Sequence, residues 1–171
     1  MDVEASRNYL SVVIQSIGIS EIFMVTNVYG PQRIEEKIKL LEALSDLRNR
    51  HVGIPWIMGG DFNMIKSLSQ RKGGTRALNK DSLTFQSFID NMNLVDSESG
   101  NGLFTWNNKR GGEALVASKL DRFMISEELM LLKKDITARF LPFGGSNHWL
   151  IQLEIKGIDS PRNRPFRFEN I

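Results

Sequence analysis

The sequence predicts one mixed α/β domain, with helices and strands interleaved around a mixed or mainly antiparallel sheet. Its 171 residues are 41% hydrophobic, enough for one sizeable core. Two β-rich runs, "YLSVVIQSIG" and "EIFMVTNVYG", are separated only by Gly18 to Ser20, the pattern of a hairpin. Between Arg33 and about Arg50, Ile34, Ile38, Leu41, Leu44 and Leu47 recur at helical spacing, so an amphipathic helix follows the hairpin. Hairpin-joined strands exclude a doubly wound parallel sheet.

The remaining elements follow in order. Pro55 opens "PWIMGGDFN", a short apolar run ending in Gly-Gly-Asp, which reads as a buried strand with its polar residues at the C-terminal end. "SLSQRKGGTRALNKDS" reads as a long polar loop carrying Arg71, Lys72 and Arg76. Asn79 is placed to cap a helix that holds Phe85, Phe88, Ile89 and Met92 on one face. "GLFTWNN" and "ALVASKLDRFMIS" read as strands around a turn at "KRGGE", and a short helix is expected from Glu127 to Lys134. "TARFLPF" and "HWLIQLEI" give two last strands. The domain is expected to span 1–157, and the Pro- and Arg-rich segment 158–171 reads as a linker-like tail.

Composition removes several chemistries. Without cysteine there is no disulfide, thiolate zinc site or Cys nucleophile, so a metal would need oxygen or imidazole ligands. The 22 Lys+Arg and 20 Asp+Glu leave a net charge of +2, which tolerates a polyanionic partner without requiring one. No apolar run is long enough for a signal peptide or a membrane span. The expectation is therefore an intracellular protein, nuclear or cytoplasmic, with no membrane partner.

Five stretches put polar residues at strand ends: "NVYGP", "GGDFN", "TWNN", "SKLDRF" and "GGSNHW". In "GGDFN", Asp61 and Asn63 straddle Phe62; in an extended segment their side chains share a side, suited to holding a water and a phosphate oxygen. A lone Asp-x-Asn after glycines is more often turn chemistry. In "SKLDRF", Asp121 and Arg122 form either a surface salt bridge of little worth or a carboxylate support for a histidine. His148, one of two histidines, is the candidate for that support, since a carboxylate on one ring nitrogen fixes the tautomer and raises the basicity of the other. Tyr29 reads as a half-buried strand end. Trp106 is a core or rim aromatic, or a stacking surface for a base or sugar. Arg71, Lys72, Arg76, Lys109 and Arg110 are solvated charges, or a phosphate-attracting rim if their loops border the strand ends.

The ordered set "NVYGP", "GGDFN", "FTWNN", "SKLDRF" and a late Ser-x-His resembles the endonuclease/exonuclease/phosphatase superfamily. Within it, "NVYGPQ", "PWIMGGDFN", "QRKGG", "FTWNN" and "RPFRFEN" are most similar to the apurinic-type endonuclease domain of plant LINE-type (non-LTR) retrotransposons. The resemblance implies a four-layer α/β sandwich, two sheets flanked by helices, that hydrolyses phosphodiesters with Mg²⁺ or Mn²⁺. It implies DNA as partner and a C-terminal reverse-transcriptase domain in the parent protein. Asp61 matches the aspartate that orients or deprotonates the attacking water, and Asn63 the asparagine that holds that water and a phosphate oxygen. Asp121 matches the support of the catalytic histidine, His148 that histidine, which stabilises the transition state, and Tyr29 the tyrosine near the scissile phosphate.

Two departures bear on the metal. No stretch before Tyr29 matches the family's N-terminal asparagine strand or its strand-end glutamate, a principal Mg²⁺ ligand. The chain is therefore expected to lack the family's N-terminal strands, and Glu4, at a frayed terminus, and Glu21, at a hairpin, lie in the wrong context to replace that glutamate. Asn147 stands where the family has a metal-binding aspartate; an amide keeps an oxygen ligand but loses its charge. Three readings stay open: a feeble Mg²⁺-dependent endonuclease, a non-catalytic relic that retains nucleic-acid affinity, or a phosphatase of the same superfamily.

Overall fold

A computed structural model describes residues 2–15, 22–74, 80–132, 135–141 and 144–156. Its strands are β1 (Asp2–Ala5), β2 (Tyr9–Gln15), β3 (Ile22–Tyr29), β4 (Trp56–Asp61), β5 (Arg71–Lys72), β6 (Leu94–Asp96), β7 (Trp106–Asn107), β8 (Ala117–Ser118), β9 (Asp121–Ser126), β10 (Asp135–Leu141) and β11 (Leu150–Lys156). Its helices are α1 (Ile34–Arg50), α2 (Lys80–Asn91) and α3 (Glu127–Leu131). The main sheet has the order β1-β2-β3-β4-β9-β6; β10 pairs with β11, and β5, β8 and β7 form a small third sheet. Only β3 and β4 run parallel within these ladders, joined across α1, so the architecture is mixed and mainly antiparallel as the hairpins require.

Of the α1 stripe, Leu41, Leu44 and Leu47 are buried, joined by Leu40, while Ile34 and Ile38 are half-buried. Glu35 and Glu36 in its first turn and Arg48 and Arg50 in its last complement the helix dipole. Phe85, Phe88 and Ile89 of α2 join that layer over Met24, Val28, Trp56, Met58 and Met124 of the sheet. The opposite face buries Phe23, Ile57, Ile125 and Leu129 against Ile136 of β10 and Leu153 and Ile155 of β11. Each fully buried side chain of this size contributes about 1.5–3 kcal/mol. With cores on both faces, the middle strands β4 and β9 have no solvent side, which fixes what their polar residues can do.

Several expectations shift. Asp2–Ala5 is a paired strand rather than a frayed terminus, because Val3 and Ala5 register with Val12 and Leu10. The polar stretch after Ser67 is only partly loop: a 3₁₀ turn at Leu68–Gln70 leads into β5, and Gln70 is buried. "ALVASKLDRFMIS" is not one strand. The chain leaves the small sheet at Ser118 and enters the main one at Asp121, with the Lys119 N–H bonded to the Gln70 carbonyl at the crossover. β6 was not anticipated, since three residues give no readable alternation. The turn Gly18–Ser20, Glu21, Arg76, the expected Asn79 cap, the end of the helix expected to Lys134 and the tail 158–171 lie outside the described residues. Among the described residues no helix is long and apolar enough to cross a membrane.

Candidate active site

Three neighbouring strands end in a row. Tyr29 is the register partner of Asp61 across the parallel β3–β4 ladder, and Asp61 is the partner of Asp121 across β4–β9. The C-terminal ends of β3 and β4 and the start of antiparallel β9 thus meet at one edge of the sheet. Phe62, fully buried, anchors the chain just past Asp61. Gly30 is needed beside it, since a Cβ there would come within 2.1 Å of the Phe62 carbonyl oxygen.

Asn63 departs from the extended geometry expected of it. Its φ of 53° is left-handed, and its N–H donates to Asp61 Oδ1 at 2.9 Å, closing a tight turn. The amide therefore turns toward the β3 end, where Nδ2 donates to the Gly30 carbonyl at 2.7 Å and Oδ1 accepts from Gln32 Nε2 at 3.0 Å. One N–H of that amide remains for a ligand.

His148 reaches the row from the opposite side. Its Nδ1 lies 3.0 Å from Asp121 Oδ2, and its own N–H is held by Ser146 Oγ at 3.0 Å. The "TWNN" segment carries the histidine loop: Trp106 bridges His148, the Asn107 N–H donates to the Asn147 carbonyl, and the Trp149 N–H donates to the Thr105 carbonyl. Thr105, fully buried, also accepts from the N–H groups of Leu120 and Asp121 through Oγ1. It fixes the Asp121 backbone and the histidine loop together. The sequence reading missed it, although a threonine inside "FTWNN" opposite "SKLD" was its available signal.

The other candidates separate. Arg71 and Trp106 line a cavity of about 230 Å³ beside Asn63, together with Lys37, Asp81 and Gln32. Lys109 is occupied, its Nζ donating to the Gly145 carbonyl at 2.7 Å, and so braces the histidine loop. Lys72 and Arg110 are exposed. Tyr29, the last residue of β3, is 67% exposed rather than half-buried. The side chain of Asn147 is exposed, and its carbonyl alone is tied to the site's framework. The second histidine, His51, closes α1 through Leu47 and Asp2. Glu4 is bound by the Tyr9 hydroxyl and Arg50, and so is committed elsewhere.

Arg122 overturns the surface salt-bridge alternative. It is 1% exposed and turns away from Asp121, bonding Asp96 Oδ2 at 3.0 Å, the Met64 carbonyl at 2.9 Å, Gln70 Oε1 at 3.2 Å and the Lys119 carbonyl at 2.5 Å. Lys119 and Lys66 also pair with Asp96, at 2.9 and 3.2 Å. Burial would push the Asp96 carboxyl up, and the charges of Arg122, Lys119 and Lys66 instead hold it below its ordinary value. A strand covered on both faces leaves an arginine no solvent to reach, so it buries in a network or not at all.

Asp61, Asp121 and His148 form the one group of acidic and histidine side chains, among the described residues, whose donor atoms lie within 4.8 Å of one another. Burial pushes the Asp61 carboxyl above its ordinary 3.8; the Asn63 N–H opposes this, and the Asp121 charge adds to it. A raised carboxyl keeps its proton in the folded protein after the unfolded chain has lost it, so this group's contribution lowers stability as pH rises above 3.8. Asp61→Asn is therefore expected to raise the unfolding midpoint at neutral pH and to leave it unchanged well below 3.8. Thermal melts at the two pH values check this, and an Asp61→Asn protein less stable at neutral pH contradicts it.

No family model and no curated protein sequence matches the chain. Solved structures do match. The endonuclease domain of TRAS1, a telomere-specific non-LTR retrotransposon, aligns with a TM-score of 0.70 at 19% identity, over 90% of this chain and 68% of that one. An endonuclease/exonuclease/phosphatase family protein from Bacteroides thetaiotaomicron aligns at 0.54 and 16% identity, over 86% and 55%. D. rerio TDP2, complexed with a single-strand DNA product, aligns at 0.53 and 12% identity, over 88% and 65%. The chain thus spans between about half and two thirds of the length of these proteins. It shares the mixed α/β fold of these proteins.

Proposed function

We propose that this chain is a divalent-metal-dependent phosphodiesterase domain that nicks DNA slowly, of the kind found in plant LINE-type retrotransposons. The observation that carries the proposal is the convergence of Asp61, Asp121 and His148 at one sheet edge, with Nδ1 of the histidine on the aspartate at 3.0 Å. The TRAS1 likeness and the motif set favour the retroelement reading over a phosphatase.

The chain's own groups have separate roles. Asp121 accepts the hydrogen bond of His148 Nδ1, orients the ring and leaves Nε2 for the phosphate oxygen on which charge develops. Asp61, whose basicity is raised by burial, takes the proton of the attacking water. Asn63 holds that water or a phosphate oxygen through its free N–H. Tyr29 stands exposed beside them for the substrate backbone, with Trp106, Arg71, Lys72, Lys109 and Arg110 as the surrounding aromatic and cationic surface. The donor set fits a hard divalent cation: Asp61 and the free oxygen of Asp121 supply the one or two carboxylates with which Mg²⁺ or Mn²⁺ is held beside phosphate. Such an ion, when bound, polarises the phosphoryl oxygen and lowers the pKa of water. The neutral Asn147 adds no charge, which makes the cation weakly held and the turnover low.

Supercoiled plasmid incubated with the protein tests the proposal, with Mg²⁺ or Mn²⁺ against chelator and with a phosphomonoester as second substrate. The expected result is metal-dependent nicking and no release of inorganic phosphate. Intact plasmid at high enzyme and metal would reduce the chain to a DNA-binding relic, and phosphate release would assign a phosphatase.

A further inference from the structure

A second hollow, of about 630 Å³, opens on the Tyr29 side of the site, away from Trp106 and Arg71. Arg7, from the turn between β1 and β2, and Arg33, at the start of α1, line it with Tyr29, Gln32 and one carboxylate, Glu36. Both arginines are exposed, and neither has an ion-pair partner among the described residues. The turn that carries Arg7 is pinned to the candidate site: Asn8 Nδ2 donates to the Tyr29 carbonyl at 2.8 Å, and the Tyr29 N–H donates to the Asn8 carbonyl at 2.8 Å. Gln32 lines this hollow and the smaller one beside Asn63, so the two adjoin across the Gln32–Asn63 hydrogen bond.

We infer that the Arg7–Arg33 hollow binds the backbone phosphates of a nucleic-acid strand on one flank of the bond held at Asp61 and His148. This rests on the proposed function and adds a contact site outside the loops that carry Arg71, Lys72, Arg76, Lys109 and Arg110. The hollow is too large for one phosphate, and its two guanidinium groups come from separate segments, as an extended polyanion requires. Tyr29 offers an exposed aromatic face at its border for a sugar or base. Adjoining across the Gln32–Asn63 hydrogen bond, the two hollows offer a strand contacts on either side of that bond, whereas one alone holds only an end.

The test is fluorescence anisotropy of a labelled DNA duplex against the full chain over a salt series, without added divalent metal. It compares wild type, Arg7→Ala/Arg33→Ala, and Arg139→Ala/Lys156→Ala, which removes the same charge from the outer hairpin β10–β11. Arg33 makes no capping hydrogen bond, so α1 does not depend on its side chain. Loss of two phosphate contacts lowers the slope of log affinity against log salt by about 1.8, and weakens binding roughly 60-fold per decade of salt below 1 M. The outer-hairpin variant is expected to keep the wild-type slope. If both variants show the same slope while wild type binds steeply, the assignment of this hollow is overturned and the proposed function stands. If wild type fails to bind DNA, both fall.

Discussion

Replacing Arg122 by alanine is expected to destabilise the fold by about 3–5 kcal/mol, the range for breaking a buried charge network from one side. The change leaves Asp96 with less compensation, orphans the carbonyls of Met64 and Lys119, and leaves Gln70 Oε1 with the Lys66 N–H alone. It also removes a guanidinium seated over the Phe85 ring at 5.1 Å. Arg122→Lys retains the charge but not the fork, so it is expected to recover only part of the loss. Denaturant titration of the three proteins checks this, and a loss under about 1 kcal/mol for the alanine variant means that the network is not holding the fold. The consequence reaches function, because the carbonyls Arg122 binds belong to the turn after Asn63 and the crossover before Asp121. One buried side chain ties together the two segments that deliver the candidate site.

The second large effect concerns rate rather than stability. His148→Ala is expected to lower single-turnover plasmid nicking by about 10²–10³-fold, the worth of one positioned donor at the oxygen on which charge develops. Asp121→Asn keeps the shape but not the charge that holds the ring, and is expected to cost about 10–100-fold. At saturating metal the double variant is expected to lose less than the product of the two single losses, because the support of the ring has nothing to act on once the ring is gone. Additive losses contradict the pairing role of Asp121. The His148 side chain is partly accessible and Asp121 is buried beside it, and unfolding midpoints close to wild type distinguish lost chemistry from a lost fold.

The parts that were legible in the sequence follow one periodicity each. The α1 stripe, the buried strand ending in Asp61 and the two β-rich runs around Gly18 all show their spacing directly. Elements built from two or three residues, β5 to β8, show no period, and only tertiary pairing defines them. The candidate site was legible as residue types at strand ends, and the structure brings Asp61, Asn63, Asp121 and His148 to one edge. Their supports were less visible. Thr105 is a single hydroxyl that accepts two backbone N–H bonds, and Asp96 looks like a turn residue until Arg122 and Lys119 are seen to enclose it. Arg122 was misplaced because charge beside charge suggests a solvated pair, whereas strand alternation inside a doubly covered sheet sends adjacent side chains to different interiors. Asn63 was placed on an extended strand, and its left-handed backbone redirects the amide toward Gly30 and Gln32.

The most direct measurement of the central claim is a Mn²⁺ titration followed by the electron paramagnetic resonance of the free ion, on wild type, Asp61→Ala and Asp121→Ala. A metal-dependent phosphodiesterase site at the C-terminal end of β4 and the start of β9 predicts one weak site per chain that either substitution abolishes, in proteins that still unfold cooperatively. Equal Mn²⁺ binding by all three proteins, or none by wild type at millimolar metal, contradicts it.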